Sequence, residues 1–584
     1  MDLSTLYFKA NKNLVAKAIG ELYYEEKIKP VEGEVFSLSL TSGIQYEFTA
    51  IKSIWTSLSV NVNSLVRVKD GQKNPINSAA QFFIDAQLEL ELTDIVLANF
   101  LEELNNTLIR DVHLLKKRAE IKAESLLDMS EVERESYLNG HPKALLNKGR
   151  IGWNLKENQL YSPEESKGFQ LHWLAIKREQ STYLFSATIT EDQVLNDSLD
   201  QDEKEILLNT LKSHGLSREN YLIIPVHPWQ WENIIQTQFL FEISNRSIIE
   251  LGVFGDLFRP QVSLRTLSNI SRPSSLDIKL PLTILNTSAI RGLPSKYIKI
   301  GVTISDFLEE LVDKDPLLKS SNVSIIKERA GASFESQHFS QVKSAPYRYH
   351  EYLGVTWRES IETLNDEKEN ISSLMTGNLL FVDDQGASLI ASLIERSGKD
   401  TKTWLSQYFK SVVIPLYHLQ SKYGFSLVSH GQNIILRTKD SLPFGVAIKD
   451  FGGDLRISEE LKNEYTHIPG VENLGNLPAA HLIHDLYTGH FVTLLRFVSE
   501  ILRDSDHITE IEFYSLLAKE VENYNNNNLP AKEINLLREK FERVIINTVR
   551  FQIGYGDSSE RPVPKLGTDL DNPIFLGQKS RNKD

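Results

Sequence analysis

The chain has no cysteine, which excludes disulfides, thiolate catalysis and Cys-based zinc sites outright. Also missing is any run of about 18 uninterrupted apolar residues, the length a membrane span needs. The opening MDLSTLYFKANKNLVAKAIGELYY scatters Asp2, Lys9, Lys12 and Lys17 among its apolar residues. It lacks the continuous apolar stretch of a signal peptide and reads as an amphipathic helix. The expectation is a soluble, cytoplasmic protein. No GxxxxGK(S/T), no GxGxxG after a strand, no HExxH and no GxSxG is present, so the common nucleotide, zinc-protease and serine-hydrolase signatures give no lead.

What is present is ordinary in bulk. The 584 residues are 41% hydrophobic and 24% charged, a globular balance in a chain long enough for two to four domains. The formal net charge of −14 argues against a non-specific nucleic-acid binder. An acidic protein that handles anions must concentrate its positive charge locally, so clustered Arg and Lys are informative here.

Three textures follow one another along the chain. To about Leu160, a helix capped by Thr93 is predicted from Val96, Phe100, Leu104, Leu108, Val112 and Leu115 at helical spacing. Before it, Gly43 to Val68 is β-branched and aromatic and predicts strands. From about Gly168 to Gly301, short apolar runs broken by Pro, Gly, Asn and Ser predict a β-rich middle. Beyond Ser305 helices return. One spans about Lys402 to Tyr423 with a kink or break expected at Pro415. A hairpin is predicted from Asn433–Arg437 and Phe444–Ile448 around a Lys439-Asp440-Ser441 turn.

Within the β-rich middle, Arg265, Lys279 and Arg291 stand where charge is normally excluded, because burying an unpaired cation is costly. With the hydroxyls of Ser263, Thr266, Thr287 and Ser288 they form a candidate pocket for a polyanion. Arg offers a planar fork and Lys a compact charge. Exposed strand-face charges would give the same pattern. His227, in IIPVHPWQW, ends a strand before a Pro-initiated helix and reads better as a helix-entry residue than as a ligand. Gly140-His141-Pro142, followed by Lys148 and Arg150, is a polar loop of similar character. His481, His484 and His490 have metal-like spacing but no acidic partner in a recognisable pattern, so packing or solvation is the expected role.

The last constellation is His430-Gly431-Gln432-Asn433, then the hairpin, then Lys449-Asp450-Phe451-Gly452. Its layout is that of a kinase ATP loop, where Asn and the later Asp hold Mg²⁺. A kinase also needs an Asp to accept the substrate's proton, and the candidate position holds Gln432. The loop is suited to nucleotide and metal but poorly equipped to phosphorylate an alcohol.

Taken in order, GHP with KGRIG, PVHPWQW, SLRT, KLPLTILNTSAIR, SHGQN and KDFGG resemble the motif set of the NRPS-independent siderophore synthetases, the IucA/IucC family. The resemblance runs from about Asp85 to Pro573. It implies an α+β cupped-hand architecture, with a helical thumb (1–160), β-rich fingers (161–385) and a helical palm (386–584), as a homodimer. It implies that citrate or a citryl derivative attacks the α-phosphate of Mg-ATP, and that an amine or hydroxyl then displaces AMP. Position by position, Ser263, Arg265, Thr266 and Lys279 are similar to the family's phosphate-binding residues. Thr287, Arg291 and His430 resemble its carboxylate-binding residues, with Ser288 beside them. Gln432, Asn433 and Asp450 match those near nucleotide and Mg²⁺, and His141, Lys148 and Arg150 the loop closing over nucleotide. Arg291, His430 and Lys279 are the expected catalytic residues. The chain departs from the pattern at Val428, at Lys449 and at Lys143-Ala144-Leu145, which leaves the acceptor open. A small-molecule phosphotransferase and a non-catalytic binding protein are the alternatives.

Overall fold

The computed structural model describes residues 2–287, 289–553 and 565–582. Its first unit packs the helix Leu3–Tyr24 against the helix Asp94–Arg118, beside a four-stranded antiparallel sheet (Phe36–Ser39, Gln45–Phe48, Val66–Lys69, Gln72–Pro75). Thr93 caps the second helix as expected, accepting from the Val96 amide. Phe100, Leu104, Leu108 and Val112 are buried on its predicted face.

The β-rich middle forms an eight-stranded antiparallel sheet. Its order is Ser181–Phe185, Glu328–Phe334, Gly354–Arg358, Asp277–Lys279, Thr266–Asn269, Ile248–Pro260, Phe169–Lys177, Tyr221–Val226. Alternation sends Ile278 and Trp357 into the core, while Asp277 and Lys279 take the opposite face.

The C-terminal unit is helical around a smaller sheet. Ile434–Lys439 and Leu442–Ile448 make the predicted hairpin, but its turn is two residues. Asp440 and Ser441 have φ of 51° and 62°, the left-handed pair a type I′ turn requires. Pro415 does not break its helix. The chain passes from Thr401–Tyr408 through a π-helical stretch, Phe409–Val413, into Ile414–Tyr423, which absorbs the missing Pro415 N–H and its ring.

Core membership does not follow sequence order. Strands Val323–Ile325 and Ile371–Met375 pair with the C-terminal hairpin, although the strands between them belong to the large sheet. Tyr24, Trp55, Ala123 and Leu126 from the first region, and Ile300 to Phe381 from the middle, pack into the C-terminal core. A buried ion group reinforces that join. Glu21 of the first helix accepts from Arg496 and from Lys143 Nζ at 2.8 Å, all three nearly inaccessible. Burial pushes the Glu21 pKa up, but Arg496 and Lys143 outweigh it and hold the carboxyl below its usual range. No described helix is long and apolar enough to cross a membrane.

Removing one member of a buried ion group leaves the others uncompensated. Arg496→Leu is expected to cost on the order of 3 kcal/mol, seen as a lower urea midpoint. An unchanged midpoint would show that the tie carries no stability.

Candidate active site

A cavity of about 730 Å³ opens where the three units meet. Each wall brings a short, locally constrained segment to it.

The first is the turn between strands Ile248–Pro260 and Thr266–Asn269. The Gln261 amide donates to the Thr266 carbonyl (2.8 Å), and Leu264 takes φ 69°. Leu264 is fully buried against Trp153, Trp229 and Leu282, which anchors this strained residue and leaves Ser263 and Arg265 on the cavity wall. Ser263 Oγ accepts from the Thr266 amide (3.1 Å), and Arg265 donates to the Gly292 carbonyl.

Beside it lies a charge junction. Lys279 Nζ is 2.7 Å from one Asp450 oxygen, and Arg358 is 3.0 Å from the other. Arg358 also binds Asp277 (3.0 Å), its cross-strand neighbour. Asp450 sits at φ 70°, where the hairpin turns into the short helix Phe451–Asp454. Burial raises its pKa, but Lys279, Arg358 and Lys449 overcome that and hold the carboxyl well below the usual range. Lys449 is buried with its ammonium against the Met375 sulfur (3.8 Å). Glu135, which accepts from the Val262 amide (2.6 Å), is pushed up to about 8 by burial and by Glu131.

Thr287 (φ 49°) turns the chain between Leu282–Asn286 and Ala289–Arg291, and Arg291 donates to the Asn286 carbonyl (2.8 Å). Ser288 lies outside the described residues. Ile151 bridges to Leu285 through two backbone bonds of 3.0 Å, which ties the KGRIG segment to this hairpin. Lys148 and Arg150 line the cavity but already have anionic partners. Lys148 is bonded to Asp111 (2.9 Å) and Asn139, and Arg150 to Glu164 (2.8 Å) and Asn158. Burial opposes ionisation of Glu164, yet Arg150 brings its pKa down to about 2.

The fourth segment is the 430–433 loop. His430 Nδ1 accepts from the Gln432 amide (3.3 Å), and Asn433 Nδ2 donates to the Val428 carbonyl (3.0 Å) and to Asp454 (2.9 Å). A close approach fixes the loop: the Gly377 amide donates to the Gly431 carbonyl (2.9 Å). Facing it, His141 accepts from the Ala144 amide at Nδ1 (3.1 Å), and burial together with His430 pushes its pKa down to about 3. His141 is therefore neutral, with Nε2 as the donor.

All the described candidates from the sequence line this one cavity: Ser263, Arg265, Thr266, Lys279, Thr287 and Arg291 from the sheet, His141, Lys148 and Arg150 from the first region, and His430, Gln432, Asn433 and Asp450 from the C-terminal unit. His227 is a helix cap as expected. Its Nδ1 accepts from the Trp229 amide (3.1 Å), and it packs against Tyr161 and Phe169. His490 is buried between Tyr408 and Ser429, and His484 pairs with Glu542. Among the described residues no group of three or more His, Asp or Glu forms a metal cluster.

Sequence reasoning missed Arg358, Asp454 and Lys17. Arg358 carried the same signal as Lys279, a cation in a strand of apolar character (GVTWR). Asp454 follows Asp450 by four residues, one turn on. Lys17 gave no signal, because its ammonium reaches the cavity only through the tertiary fold. There it donates to the His141 (3.2 Å) and Ala144 (2.6 Å) carbonyls, and burial pushes its pKa down to about 8.

Residues 128–377 match the IucA / IucC family, and residues 402–556 match a family described as ferric iron reductase FhuF-like transporter. Aerobactin synthase of Escherichia coli is 37% identical over 573 residues, covering 97% of each chain. A citryl-spermidine/3,4-dihydroxybenzoyl-citryl-spermidine:spermidine ligase of Bacillus anthracis is 28% identical, over 98% of this chain and 94% of its own. The structure of aerobactin synthetase IucC from a hypervirulent Klebsiella pneumoniae matches with a TM-score of 0.86 at 34% identity, over 98% of this chain and 99% of that one. ATP-bound aerobactin synthetase IucA from the same pathotype shares the fold, with a TM-score of 0.78 at 17% identity over 98% and 99%. The class is thus a siderophore synthetase, which is a ligase. The chain belongs to the IucA / IucC family.

The loop geometry makes a direct prediction. A Cβ at Gly431 would lie 2.8 Å from Gly377 Cα and 2.9 Å from its nitrogen, so Gly431→Ala must displace Gln432 and Asn433. Turnover is expected to fall on the order of a hundredfold while circular dichroism stays unchanged. Full activity in that variant would remove the 430–433 loop from the site.

Proposed function

We propose that the chain adenylates citrate or a citryl derivative with ATP and joins it to an amine or hydroxyl, releasing pyrophosphate and AMP. The observation that carries this reading is the convergence of Arg265, Lys279 and Arg291 on one cavity with the Gln432–Asn433 loop and Asp450. Citrate beside a polyphosphate brings two polyanions together, and fixed cations must offset their repulsion. The ATP-bound relative supports nucleotide use, and the citryl-spermidine ligase supports a citryl acid with an amine.

In the first step a carboxylate oxygen bonds the α-phosphorus as the bond to the bridging oxygen breaks and pyrophosphate leaves. In the second, the acceptor's nitrogen or oxygen bonds the acyl carbon. The carbon–oxygen bond to AMP breaks, and the acceptor's proton passes to a base. In this reading Ser263, Arg265, Thr266 and Lys279 bind the phosphates, with His141 donating from Nε2. Thr287, Ser288 and Arg291 hold the carboxylate, and His430 positions it. Lys148 and Arg150, neutralised by Asp111 and Glu164, shape the wall more than they add charge. Asn433, Asp450 and the neighbouring Asp454 offer oxygen donors of the kind Mg²⁺ takes, and bound there it would neutralise phosphate charge. Lys279 and Arg358, now on Asp450, are the groups that must share it. We also infer a cytoplasmic homodimer, on the family resemblance and a cysteine-free chain suited to a reducing compartment.

The products decide between this and a phosphotransferase. ATP, Mg²⁺, citrate and hydroxylamine should yield AMP, pyrophosphate and citryl hydroxamate. ADP with a phosphorylated product would overturn the ligase chemistry. Arg291→Ala should abolish citrate-dependent pyrophosphate release while ATP binding, measured by calorimetry, persists. Undiminished citrate dependence would take Arg291 out of the carboxylate subsite.

A further inference from the structure

The cavity extends beyond the residues used so far, along one face of the helix Arg496–Asp504. Phe497, Glu500, Ile501 and Asp504 all line it, at the i, i+3, i+4, i+7 spacing that places them on a single face. The opposite face, Val498, Ser499 and Leu502, is buried in the core. Leu380, Phe381 and Ser59 line the same cavity. The near end abuts the catalytic loop, since a Cβ at Gly489 would lie 2.7 Å from the Ser429 amide nitrogen, one residue before His430. Thr493, which lines this end, precedes Glu500 by seven residues, roughly 10 Å along a helix axis.

The charges in this lobe are unevenly satisfied. Lys17 is held by two backbone carbonyls. Arg118 donates to the Val382 carbonyl and lies over the Phe381 ring. Arg496 is paired with Glu21, Arg503 with Glu510 and Asp504, and Asp504 with Arg503. Glu500 is the exception. Its hydrogen-bond partner among the described residues is the Ser57 hydroxyl (3.0 Å), and no described cation lies within ion-pair distance. Burial raises its pKa and outweighs the opposing pull of Arg496, the larger charge influence, and of Arg503, while Glu510 raises it further. A carboxylate facing a cavity in these surroundings is stabilised by any cation that enters.

We infer that this lobe is the acceptor subsite, and that it selects an amine carrying a second, cationic amino group on an apolar spacer. The distal ammonium pairs with Glu500, and the spacer lies against Phe497, Ile501 and Leu380. The reacting nitrogen, as the free base, points toward the His430 end. The inference rests on the ligase reading above and adds the acceptor's chemical class to it.

The test compares three acceptors with saturating ATP, Mg²⁺ and citrate: hydroxylamine, 1,5-diaminopentane and 1-aminopentane. The wild-type chain should use the diamine with a kcat/KM at least about tenfold above that of the monoamine. Glu500→Gln, which keeps the Ser57 contact, should erase that preference through KM and leave the hydroxylamine reaction within about twofold. Glu500→Asp should restore part of the preference. Equal use of both amines by the wild type, refusal of both, or a preference that survives in Glu500→Gln would each overturn the inference. Absence of citrate-dependent AMP even with hydroxylamine would instead sink the ligase reading on which it stands.

Discussion

The contact around which the cavity is organised is the one Asp450 makes with Lys279 and Arg358. It joins the end of the C-terminal hairpin to two adjacent strands of the large sheet, adding an ionic contact at the cavity wall to the apolar core that the middle and C-terminal regions share. At an effective dielectric of about 20, each such contact contributes on the order of 5 kcal/mol, comparable with the several kcal/mol per ion that desolvation costs. With terms so nearly balanced, the junction is poor as a structural staple. It is well suited to exchange partners, because an entering polyphosphate offers the two cations a stronger anion than one carboxylate.

Other buried charges around the cavity are arranged differently. Lys148 and Arg150 have fixed carboxylate partners, and Lys143, at one of the departures from the family pattern, is committed to Glu21 and does not line the cavity. Lys449, another departure, is buried beside Met375 and contributes to holding Asp450 ionised. At the third departure, Val428 supplies its carbonyl to Asn433, a role independent of side chain. None of the three departures lines the cavity. The cavity wall is shaped by local strain: of the left-handed residues Leu264, Thr287, Arg150 and Asp450, Leu264 and Arg150 are held by burial and Asp450 by its ion pairs.

Much of the site was legible because charge in β-rich sequence is expensive and therefore meaningful. Arg265, Lys279 and Arg291 were found this way, and Arg358 was available to the same argument. The 430–450 loop and hairpin were legible from their spacing, and the Thr93 helix from its cap and period. What sequence did not show depends on long-range packing. The π-helical adjustment before Pro415 requires the surrounding core to keep the helix continuous. The return of residues 323–325 and 371–375 to the C-terminal sheet leaves no mark in local periodicity. Lys17 and Glu500 read as ordinary surface charges until helices distant in sequence bring them to one cavity.

The central claim is that the carboxylate attacks the α-phosphorus of ATP. It is tested most directly with citrate carrying ¹⁸O in its carboxyl groups. Acyl transfer from a citryl adenylate leaves one carboxylate oxygen on the nucleotide, so mass spectrometry should find AMP carrying a single ¹⁸O for each turnover. Unlabelled AMP, or label in orthophosphate beside ADP, would contradict the account.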